Sequence, residues 1–320
     1  MATPLAVCLT PDANYFRPAV VTAASILRQD DSDGLEIVIL CDESDVAPGF
    51  DRLDPALRSR IEVRHVDWDR YVAGLPVRGH FTSAVNRRLA LHRVLPERHQ
   101  RYVSIDADMM VKRPGLARLA DIDLGGFPFA AAMDMIFLKD FEDGPLTAEF
   151  QAYRARLGLS RGTPYFNNGL TLVDRHMWEK LDVPRAATTF LAANAGRCAF
   201  LEQSALNAVV QGQFAKLSPR YNFMGDFLLL DLEALVEPIV QHFVNRPKPW
   251  EPGWRGDPRF ARDYREAFAA TPWPELAPAP AAGATGAPQP ADSDLAAFRR
   301  RLVAYLSTVR FADGWRCAPA

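Results

Sequence analysis

The feature that most constrains this fold is a repeated alternation, in the first third of the chain, of short apolar runs with segments of helical periodicity. The apolar runs are predicted to be strands, and the helical segments place apolar side chains on one face, as Val20, Ala24 and Leu27 do. Strands separated by helices of this size predict an α/β fold with a mostly parallel sheet and crossover helices. The predicted strands cover residues 5–10, 36–41, 61–66 and 101–105, and the predicted helices cover residues 18–27, 54–60 and 85–95.

The pattern is looser after Pro114, and the composition changes near the C-terminus. Residues 129–133 and 170–173 are predicted strands, and residues 201–210 a helix. A segment rich in Pro, Ala and Gly over residues 274–290 cannot bury a core and predicts a linker. Ser293 can cap a final helix whose apolar residues share one face. These features predict a main α/β domain over residues 1–270, a linker over 271–292, and a helix with a tail over 293–320.

Composition and charge narrow the classes of protein and partner. The 320 residues suit one large α/β domain with an appendage, and the formal net charge of −2 lacks the basic excess of a nucleic-acid-binding protein. The four cysteines show no metal-ligand spacing and are predicted to be buried thiols, which favours a reducing compartment. No signal peptide is visible, and no stretch is long and apolar enough to span a membrane. A cytoplasmic protein is therefore expected.

Acidic side chains follow three of the predicted strands. Asp12, Asp42 and Asp106 each lie where a strand ends, and ligands of parallel sheets bind at the carboxyl ends of the strands. Asp106 and Asp108 form a D-x-D pair directly after an apolar strand, whereas the other D-x-D pairs of the chain suit solvated surfaces. Carboxylate oxygens suit Mg²⁺ or Mn²⁺, and an added imidazole shifts the preference toward Mn²⁺.

His242 is the candidate for that imidazole. A single histidine after an apolar run is more often a core or surface residue than a metal ligand. Six residues later, however, Lys248 stands between Pro247 and Pro249. A rigid loop that presents an ammonium group beside a metal ligand suits a diphosphate, whose charge grows as it departs from a sugar.

Five sequence blocks follow one another along the chain, at residues 10–15, 86–91, 102–108, 165–178 and 242–250. Together and in this order they resemble glycosyltransferase family eight, the group that contains glycogenin and the bacterial lipopolysaccharide galactosyl- and glucosyltransferases. The resemblance runs from about residue 7 to residue 250 and implies a Rossmann-like fold of the nucleotide-diphospho-sugar transferase type. It also implies transfer of a hexose from UDP-glucose or UDP-galactose with retention of the anomeric configuration.

The resemblance also implies a role for individual residues. The implied metal ligands, for Mn²⁺ or alternatively Mg²⁺, are Asp106, Asp108 and His242. The implied nucleotide-binding residues are Thr10, Asp12, Asn14, Tyr15, Asn245 and Lys248. The implied donor-sugar residues are Arg88, Asp134, Asn167 and Asn168, and the implied catalytic pair is Glu202 and Gln203.

Two positions depart from the family pattern. Glu202 stands where the family usually has Asp, and Asn245 stands where it usually has Gly. They leave open a second hypothesis, a nucleotide-sugar-binding protein with impaired catalysis. Asn at position 245 could require an unusual backbone angle, which Asn tolerates better than most residues.

Several residues also have ordinary structural interpretations. Asn168-Gly169 could form a tight turn, which is what Asn-Gly usually indicates. Arg88 could be a solvated helix residue, and Glu202 and Gln203 could belong to an exposed helix face.

The acceptor is left undetermined by the sequence: a glycan, a lipid-linked sugar or a protein would each fit. The C-terminal helix is expected to pack on its own domain or on a second subunit. The three consecutive arginines 299–301 leave a peripheral membrane contact as the less favoured alternative.

Overall fold

A computed structural model describes residues 4–79, 81–277 and 292–318. In this part of the chain a seven-stranded sheet has the order β3-β2-β1-β4-β7-β6-β8, and a three-stranded sheet has the order β5-β10-β9. The strands are β1 (Leu5–Leu9), β2 (Leu35–Cys41), β3 (Ile61–His65), β4 (Arg101–Ile105), β5 (Met109–Val111), β6 (Phe129–Met133), β7 (Phe166–Asp174), β8 (Ala215–Leu217), β9 (Phe223–Met224) and β10 (Val240–His242). In the large sheet only β7 runs antiparallel to its neighbours, so the predicted mostly parallel α/β sheet is confirmed.

Helices cover both faces of the large sheet, which explains why its central strands are apolar on both sides. Alternate residues of β1 enter different cores: Ala6 and Cys8 lie in one, and Leu5, Val7 and Leu9 in the other. The helices are α1 (Phe16–Leu27), α2 (Pro55–Arg58), α3 (Asp69–Val72), α4 (Ala84–Arg87), α5 (Leu91–Val94), α6 (Met135–Leu138), α7 (Pro145–Arg156), α8 (Arg175–Lys180), α9 (Val183–Ala193), α10 (Leu201–Val210), α11 (Gly225–Leu229), α12 (Glu233–Val236), α13 (Pro258–Ala269) and α14 (Asp292–Thr308).

The single helix predicted over residues 85–95 is divided in the structure. A short 3₁₀ segment, Arg88–Ala90, separates α4 from α5. The division coincides with two consecutive arginines that bind different carboxylates. Arg87 is buried and binds Asp42 and Asp45, whereas Arg88 is half-buried and binds residues of the central cavity. Side-chain pairing therefore overrides the uniform helical periodicity at this point.

The strand predicted over residues 170–173 is longer in the structure. It begins at Phe166, so Asn167, Asn168 and Gly169 lie within β7 and are buried. The tight-turn interpretation of Asn168-Gly169 is wrong. Asp106 N–H donates to the Gly169 carbonyl (2.8 Å), so this stretch of β7 lies beside the end of β4.

The C-terminal helix α14 packs on the body of the same chain. Phe298, Leu302 and Leu306 are buried in the core on one face of the sheet. Tyr305 stacks on Phe141, with 4.4 Å between ring centroids. Ahead of it, Trp273 is buried and donates to the Pro48 carbonyl (2.8 Å), so the chain follows the domain surface at the start of the predicted linker. Most of that linker, residues 278–291, lies outside the described residues. Among the helices of the described residues, none is long and apolar enough to cross a membrane.

Candidate active site

The candidate site lies where the order of the large sheet reverses direction. The chain passes from β1 outward to β2 and β3, and then returns to place β4 on the other side of β1. Ligands of open α/β sheets bind in the crevice at such a point, outside the carboxyl ends of the strands. Here a cavity of about 440 Å³ is lined by every residue of the predicted site except Asn14. Asn14 is exposed on the turn that enters α1.

Two carboxylates and one imidazole meet in this cavity. Each of Asp106, Asp108 and His242 offers a ligand atom, and these atoms lie within 4.8 Å of one another. His242 Nε2 lies 3.3 Å from Asp108 Oδ1 and 3.8 Å from Asp106 Oδ2. The convergence arises from pairing of β10 with β5, which places His242 opposite Met109, the residue after the D-x-D pair. Residues more than a hundred positions apart in the chain thus form one cluster.

The orientation of the His242 ring is set by a residue that the sequence analysis did not select. Nδ1 of His242 lies 2.8 Å from Asn222 Oδ1, and the amide of Asn222 donates to Asn167 Oδ1 (2.8 Å). An amide oxygen can only accept, so Nδ1 donates this hydrogen bond and Nε2 is the ring nitrogen that faces the two carboxylates. A hydrogen bond on the far nitrogen is the usual way in which proteins orient a metal-binding imidazole.

Gly169 allows the imidazole to approach the sheet. A Cβ at this position would lie 2.7 Å from Cε of Met109 and 2.8 Å from Nδ1 of His242, which is closer than carbon atoms pack. The glycine of the Asn-Asn-Gly stretch is therefore required by close packing against His242.

The D-x-D segment is held by backbone contacts from three directions. Thr22 Oγ1 of α1 lies 2.9 Å from the Ala107 carbonyl and 2.8 Å from the Met109 carbonyl. Phe243 N–H donates to the carbonyl of Asp108 (3.1 Å), and Gly169 accepts from Asp106 N–H. The two carboxylates thus project from a segment that is fixed before any ligand binds.

Lys248 is buried and bound within the cavity. Its ammonium group donates to Asp108 Oδ2 (2.7 Å) and to the carbonyls of Phe243 and Val244. Burial opposes ionisation of Asp108, but Lys248 and His242 beside it hold the pKa of this carboxyl well below its usual range. Asp108 is accordingly anionic at neutral pH.

Arg88 lies between Asp106 and Glu202, a predicted metal ligand and a predicted catalytic residue. It donates to Asp106 Oδ1 and to the carbonyl of Asn168, and its Nε lies 3.5 Å from Glu202 Oε1. Burial alone would lower the pKa of Arg88, but Asp106 and Glu202 raise it above its ordinary value. The interpretation of Arg88 as a solvated helix residue is wrong.

Glu202 is a buried acid with limited stabilisation of its charge. It is 5% exposed, and burial raises its pKa to about 7, against the opposing effect of Arg88. Its remaining polar contact is Asn168 Nδ2 at 3.4 Å. Leu201, the residue before it, has a φ of 43°, a left-handed conformation that is uncommon for a bulky side chain and clusters at functional sites.

Gln203 is fixed by hydrogen bonds at both ends of its amide. Oε1 accepts from Asn168 N–H (2.8 Å), and Nε2 donates to Asp134 Oδ2 (3.3 Å). Asp134 also accepts from Asn167 Nδ2 (2.7 Å) and from Ile136 N–H (2.8 Å) at the start of α6. Burial raises the pKa of Asp134, and these donors oppose that rise. The interpretation of Glu202 and Gln203 as an exposed helix face is therefore wrong.

The opposite end of the cavity is formed by the turn after β1 and the loop after β10. Asp12 accepts from the backbone N–H groups of Asn14 and Tyr15 (both 3.0 Å) and from Thr82 Oγ1 (2.7 Å). Arg246 donates to the Tyr15 hydroxyl (3.0 Å), which brings the two segments together. Asn245 is exposed and is not among the left-handed residues, so it does not adopt the unusual backbone angle considered for it.

Several residues that position the site were not predicted from the sequence. Asn222 and Thr22 carry no motif, because their contacts depend on which strands and helices lie side by side. Arg246 could have been selected, since it lies inside the block at residues 242–250.

The family model of Glycosyl transferase family 8 matches residues 6–252 of this chain. The chain belongs to glycosyltransferase family 8. This assignment confirms the resemblance carried by the five sequence blocks and identifies the protein as a glycosyltransferase. The matched residues include all those of the predicted site and exclude α14.

Similar proteins place this glycosyltransferase among known folds. General stress protein A of Bacillus subtilis (strain 168) is 23% identical over 206 residues, 59% of this chain and 66% of that protein. The galactosyltransferase LgtC, solved with donor and acceptor sugar analogs, matches with a TM-score of 0.68 at 19% identity, over 84% of this chain and 96% of that chain. The bifunctional glycosyltransferase WbbM matches with a TM-score of 0.65 at 21% identity, over 86% of this chain and 51% of that chain. These similarities confirm the fold of the nucleotide-sugar transferase type.

The donor set of this glycosyltransferase fits a divalent cation. Asp108 is anionic, Nε2 of His242 faces it, and one ligand atom from each lies within 4.8 Å of a carboxylate oxygen of Asp106. Two hard oxygen ligands and one imidazole are compatible with Mn²⁺ and with related divalent ions.

Proposed function

We propose that this glycosyltransferase moves a hexose from UDP-glucose or UDP-galactose to an acceptor hydroxyl, with manganese dependence and retention of the anomeric configuration. One observation carries the proposal: the cluster of Asp106, Asp108 and His242 lines the same cavity as Glu202 and Gln203. A diphosphate bound at the cluster would place its attached sugar in the rest of the cavity, which is lined by the carboxyl group of Glu202 and the amide of Gln203.

Asp106, Asp108 and His242 would hold the metal ion. When bound, the ion would supply positive charge that stabilises the departing diphosphate. Lys248 would supply a second positive charge, because its ammonium group already faces the cluster through Asp108. A cation at the cluster would interact with the negative charge of Asp108. The ammonium group of Lys248 could then turn toward the phosphate oxygens of the donor.

The uridine would lie at the end of the cavity formed by Thr10, Asp12 and Tyr15. Tyr15 is held in place by Arg246 and lies edge-on to Trp250, with 6.5 Å between ring centroids. A partly exposed aromatic ring offers a surface on which a base can pack. Asn14 is the exception: its side chain would have to reach the ribose from outside the cavity.

The donor sugar would contact Arg88, Asp134, Asn167 and Asn168. The side chains of Asn167 and Gln203 both donate to Asp134, while Gln203 and Arg88 also bond the backbone of Asn168, so these polar groups are already oriented. Preorganised groups of this kind lower the cost of stabilising charge that develops in a transition state.

Glu202 and Gln203 would act at the anomeric carbon. Retention requires either a covalent attack by one of them or front-face attack by the acceptor beside a stabilising group. A carboxyl with a pKa of about 7 is partly ionised at neutral pH and so can serve in either route.

Buried free cysteines agree with a reducing, cytoplasmic setting for the reaction.

A donor screen tests the proposal. Purified protein is incubated with each of a panel of UDP- and other nucleotide-sugars in the presence of Mn²⁺, and release of the nucleoside diphosphate is followed. We expect turnover of UDP-glucose or UDP-galactose, loss of turnover in EDTA, and loss of both activity and metal-dependent UDP binding in Asp108→Ala.

The alternative hypothesis, a nucleotide-sugar-binding protein with impaired catalysis, predicts metal-dependent UDP binding without diphosphate release from any donor. The departure at Glu202 favours it, and Glu202→Asp tests it directly. Restoration of turnover by this variant would support impaired catalysis in the natural sequence.

A further inference from the structure

The cavity has a second wall whose chemistry differs from that of the metal cluster. We call it the apolar wall: Ile136 of α6, Leu146 and Phe150 of α7, and Phe200 before α10. Ligand sites commonly combine an apolar lining with a few oriented polar groups, and each part recognises a different portion of the ligand.

The apolar wall borders the catalytic pair. Phe200 lies two residues before Glu202, and Ile136 N–H is bonded to Asp134, which in turn binds Gln203. The wall is also rigidly built. The rings of Phe200 and Tyr153 pack edge to face, with 5.6 Å between their centroids. The Tyr153 hydroxyl lies 2.6 Å from Ser204 Oγ.

The side chains of the apolar wall present hydrocarbon surface to the cavity. Leu146 is 43% exposed although it lines a cavity, and Phe150 and Phe200 are only partly buried. Exposed apolar surface costs about 25 cal/mol per Å² relative to burial, so a ligand that covers it gains affinity. A nucleotide diphosphate is too polar to provide that cover.

The charge of the region argues against an anionic ligand here. Lys139 lines the cavity beside the apolar wall, but its ammonium group is paired with Glu142 (2.9 Å) and Asp226 (3.4 Å). One cation facing two carboxylates leaves a local excess of negative charge. The described part of this wall therefore offers hydrogen-bond acceptors to hydroxyl groups and no unpaired cation to a phosphate.

We propose that the acceptor is a neutral sugar that carries an apolar aglycone, and that this aglycone packs against Leu146, Phe150 and Phe200. The inference rests on the proposed glycosyl transfer and adds the chemical class of the acceptor. In the transfer, the acceptor hydroxyl oxygen forms a bond to the anomeric carbon of the donor. The bond from that carbon to the diphosphate oxygen breaks with its electron pair, and the hydroxyl proton passes to the departing diphosphate.

Matched glycosides test the proposal by binding alone. Methyl, octyl and phenyl β-glucosides and β-galactosides, each below its micellar concentration, are titrated calorimetrically into the protein with UDP and Mn²⁺ present. We expect octyl or phenyl glycosides to bind about tenfold or more tightly than the methyl glycoside of the same sugar, because each buried methylene adds affinity. Tighter octyl binding would indicate a lipid-like aglycone, and tighter phenyl binding an aromatic one. Equal affinities for the methyl, octyl and phenyl compounds, or no binding of any, would overturn the proposal.

A pair of leucine variants locates the aglycone. Leu146 and Leu181 are both partly exposed (43% and 52%), but only Leu146 lines the cavity. Leu146→Ala should reduce the preference for the apolar glycosides several-fold, whereas Leu181→Ala should leave it unchanged. A preference that is the same in both variants and the natural protein would refute the assignment to this wall.

The binding measurement is separate from the donor screen. Diphosphate release measured without acceptor reports on the proposed transfer, whether or not an apolar glycoside binds. If apolar glycosides bind more tightly but no donor is cleaved, the apolar wall is a binding surface and the proposed function is wrong. If donor is cleaved but the glycosides bind equally, only the proposed acceptor class is wrong.

Discussion

Single hydrogen bonds decide what the side chains of this site can do. His242 has two ring nitrogens, and the bond to Asn222 determines which of them faces Asp106 and Asp108. Asn222 is fully buried and is itself held by Asn167, so the ring has one orientation. Each of these residues would be an unremarkable asparagine or histidine outside this network.

Asn222→Ala should weaken Mn²⁺ binding about 10- to 100-fold, because the His242 ring loses the hydrogen-bond acceptor that holds Nε2 toward Asp106 and Asp108. The measurement is calorimetric titration of Mn²⁺ into the protein. Asn207→Ala is the matched control: Asn207 is equally buried but holds the backbone of Phe166, so its loss should lower stability without this loss of metal affinity. Equal metal affinity in the two variants would show that Asn222 has no orienting role.

Glu202 should make stability depend on pH in the opposite sense to a salt-bridged acid. Its pKa is about 7 in the folded chain and near 4.5 when unfolded, so between these values the folded state binds more protons. Stability is then fully present below about pH 4.5 and declines as the pH rises through 7, by about 3 kcal/mol in total. Denaturant unfolding in EDTA from pH 5 to pH 8 should therefore show the natural protein losing stability relative to Glu202→Gln. Parallel pH profiles for the two proteins would contradict this expectation.

The helix α14 lies outside the residues matched by the family model, yet it packs against the rest of the chain. Its Arg301 donates to the carbonyls of Phe141 and Glu142, and Tyr305 donates to Sδ of Met133 (3.3 Å). Phe298 lies under the ammonium group of Lys139, 5.0 Å from ring centroid to nitrogen. The helix therefore supports α6 and the turn that follows it, which carry part of the cavity wall.

Leu302→Ala should lower the free energy of unfolding by about 2–5 kcal/mol, because Leu302 is fully buried and its loss leaves a cavity in the core. Ser307→Ala, on the exposed side of the same helix, should change it by less than about 0.5 kcal/mol. Equilibrium denaturation in urea measures both. A small effect at Leu302 would mean that the helix is not docked in solution as the structure has it.

At the scale of the whole molecule, the distribution of charge offers little attraction to an anionic surface. The formal net charge is −2, and two of the three consecutive arginines of α14 turn back to the chain: Arg299 donates to the Leu230 carbonyl, and Arg301 to the turn after α6. Arg300 and Arg301 are both exposed, and Arg301 also pairs with Asp143 (3.1 Å). Membrane-surface helices need a broad basic face with free apolar residues, and here the apolar face is buried.

We expect negligible co-sedimentation of the full chain with anionic phosphatidylserine vesicles at physiological salt. Arg299 and Arg301 are already bonded to the chain, and a basic residue near the membrane surface contributes only about 1 kcal/mol of attraction. Neutral phosphatidylcholine vesicles give the background. Salt-sensitive binding that disappears when residues 293–320 are deleted would contradict this expectation and identify a peripheral membrane enzyme.

The local pattern of the sequence determined the α/β class, the positions of the central strands and the order of the family blocks. Periodicity and turn chemistry act between residues that are close in the chain, so they could be interpreted without a structure. They also indicated Asp106 and Asp108, because a carboxylate directly after a buried strand must lie at the edge of a sheet.

Only the tertiary structure decided which side chains meet. His242 joins Asp108 through strand pairing, Asn222 orients that histidine, and Arg88 faces both Asp106 and Glu202. The raised pKa of Glu202 likewise follows from burial, which depends on everything packed around it. These properties arise from contacts between segments far apart in the chain, and no local pattern records which distant segment will lie beside another.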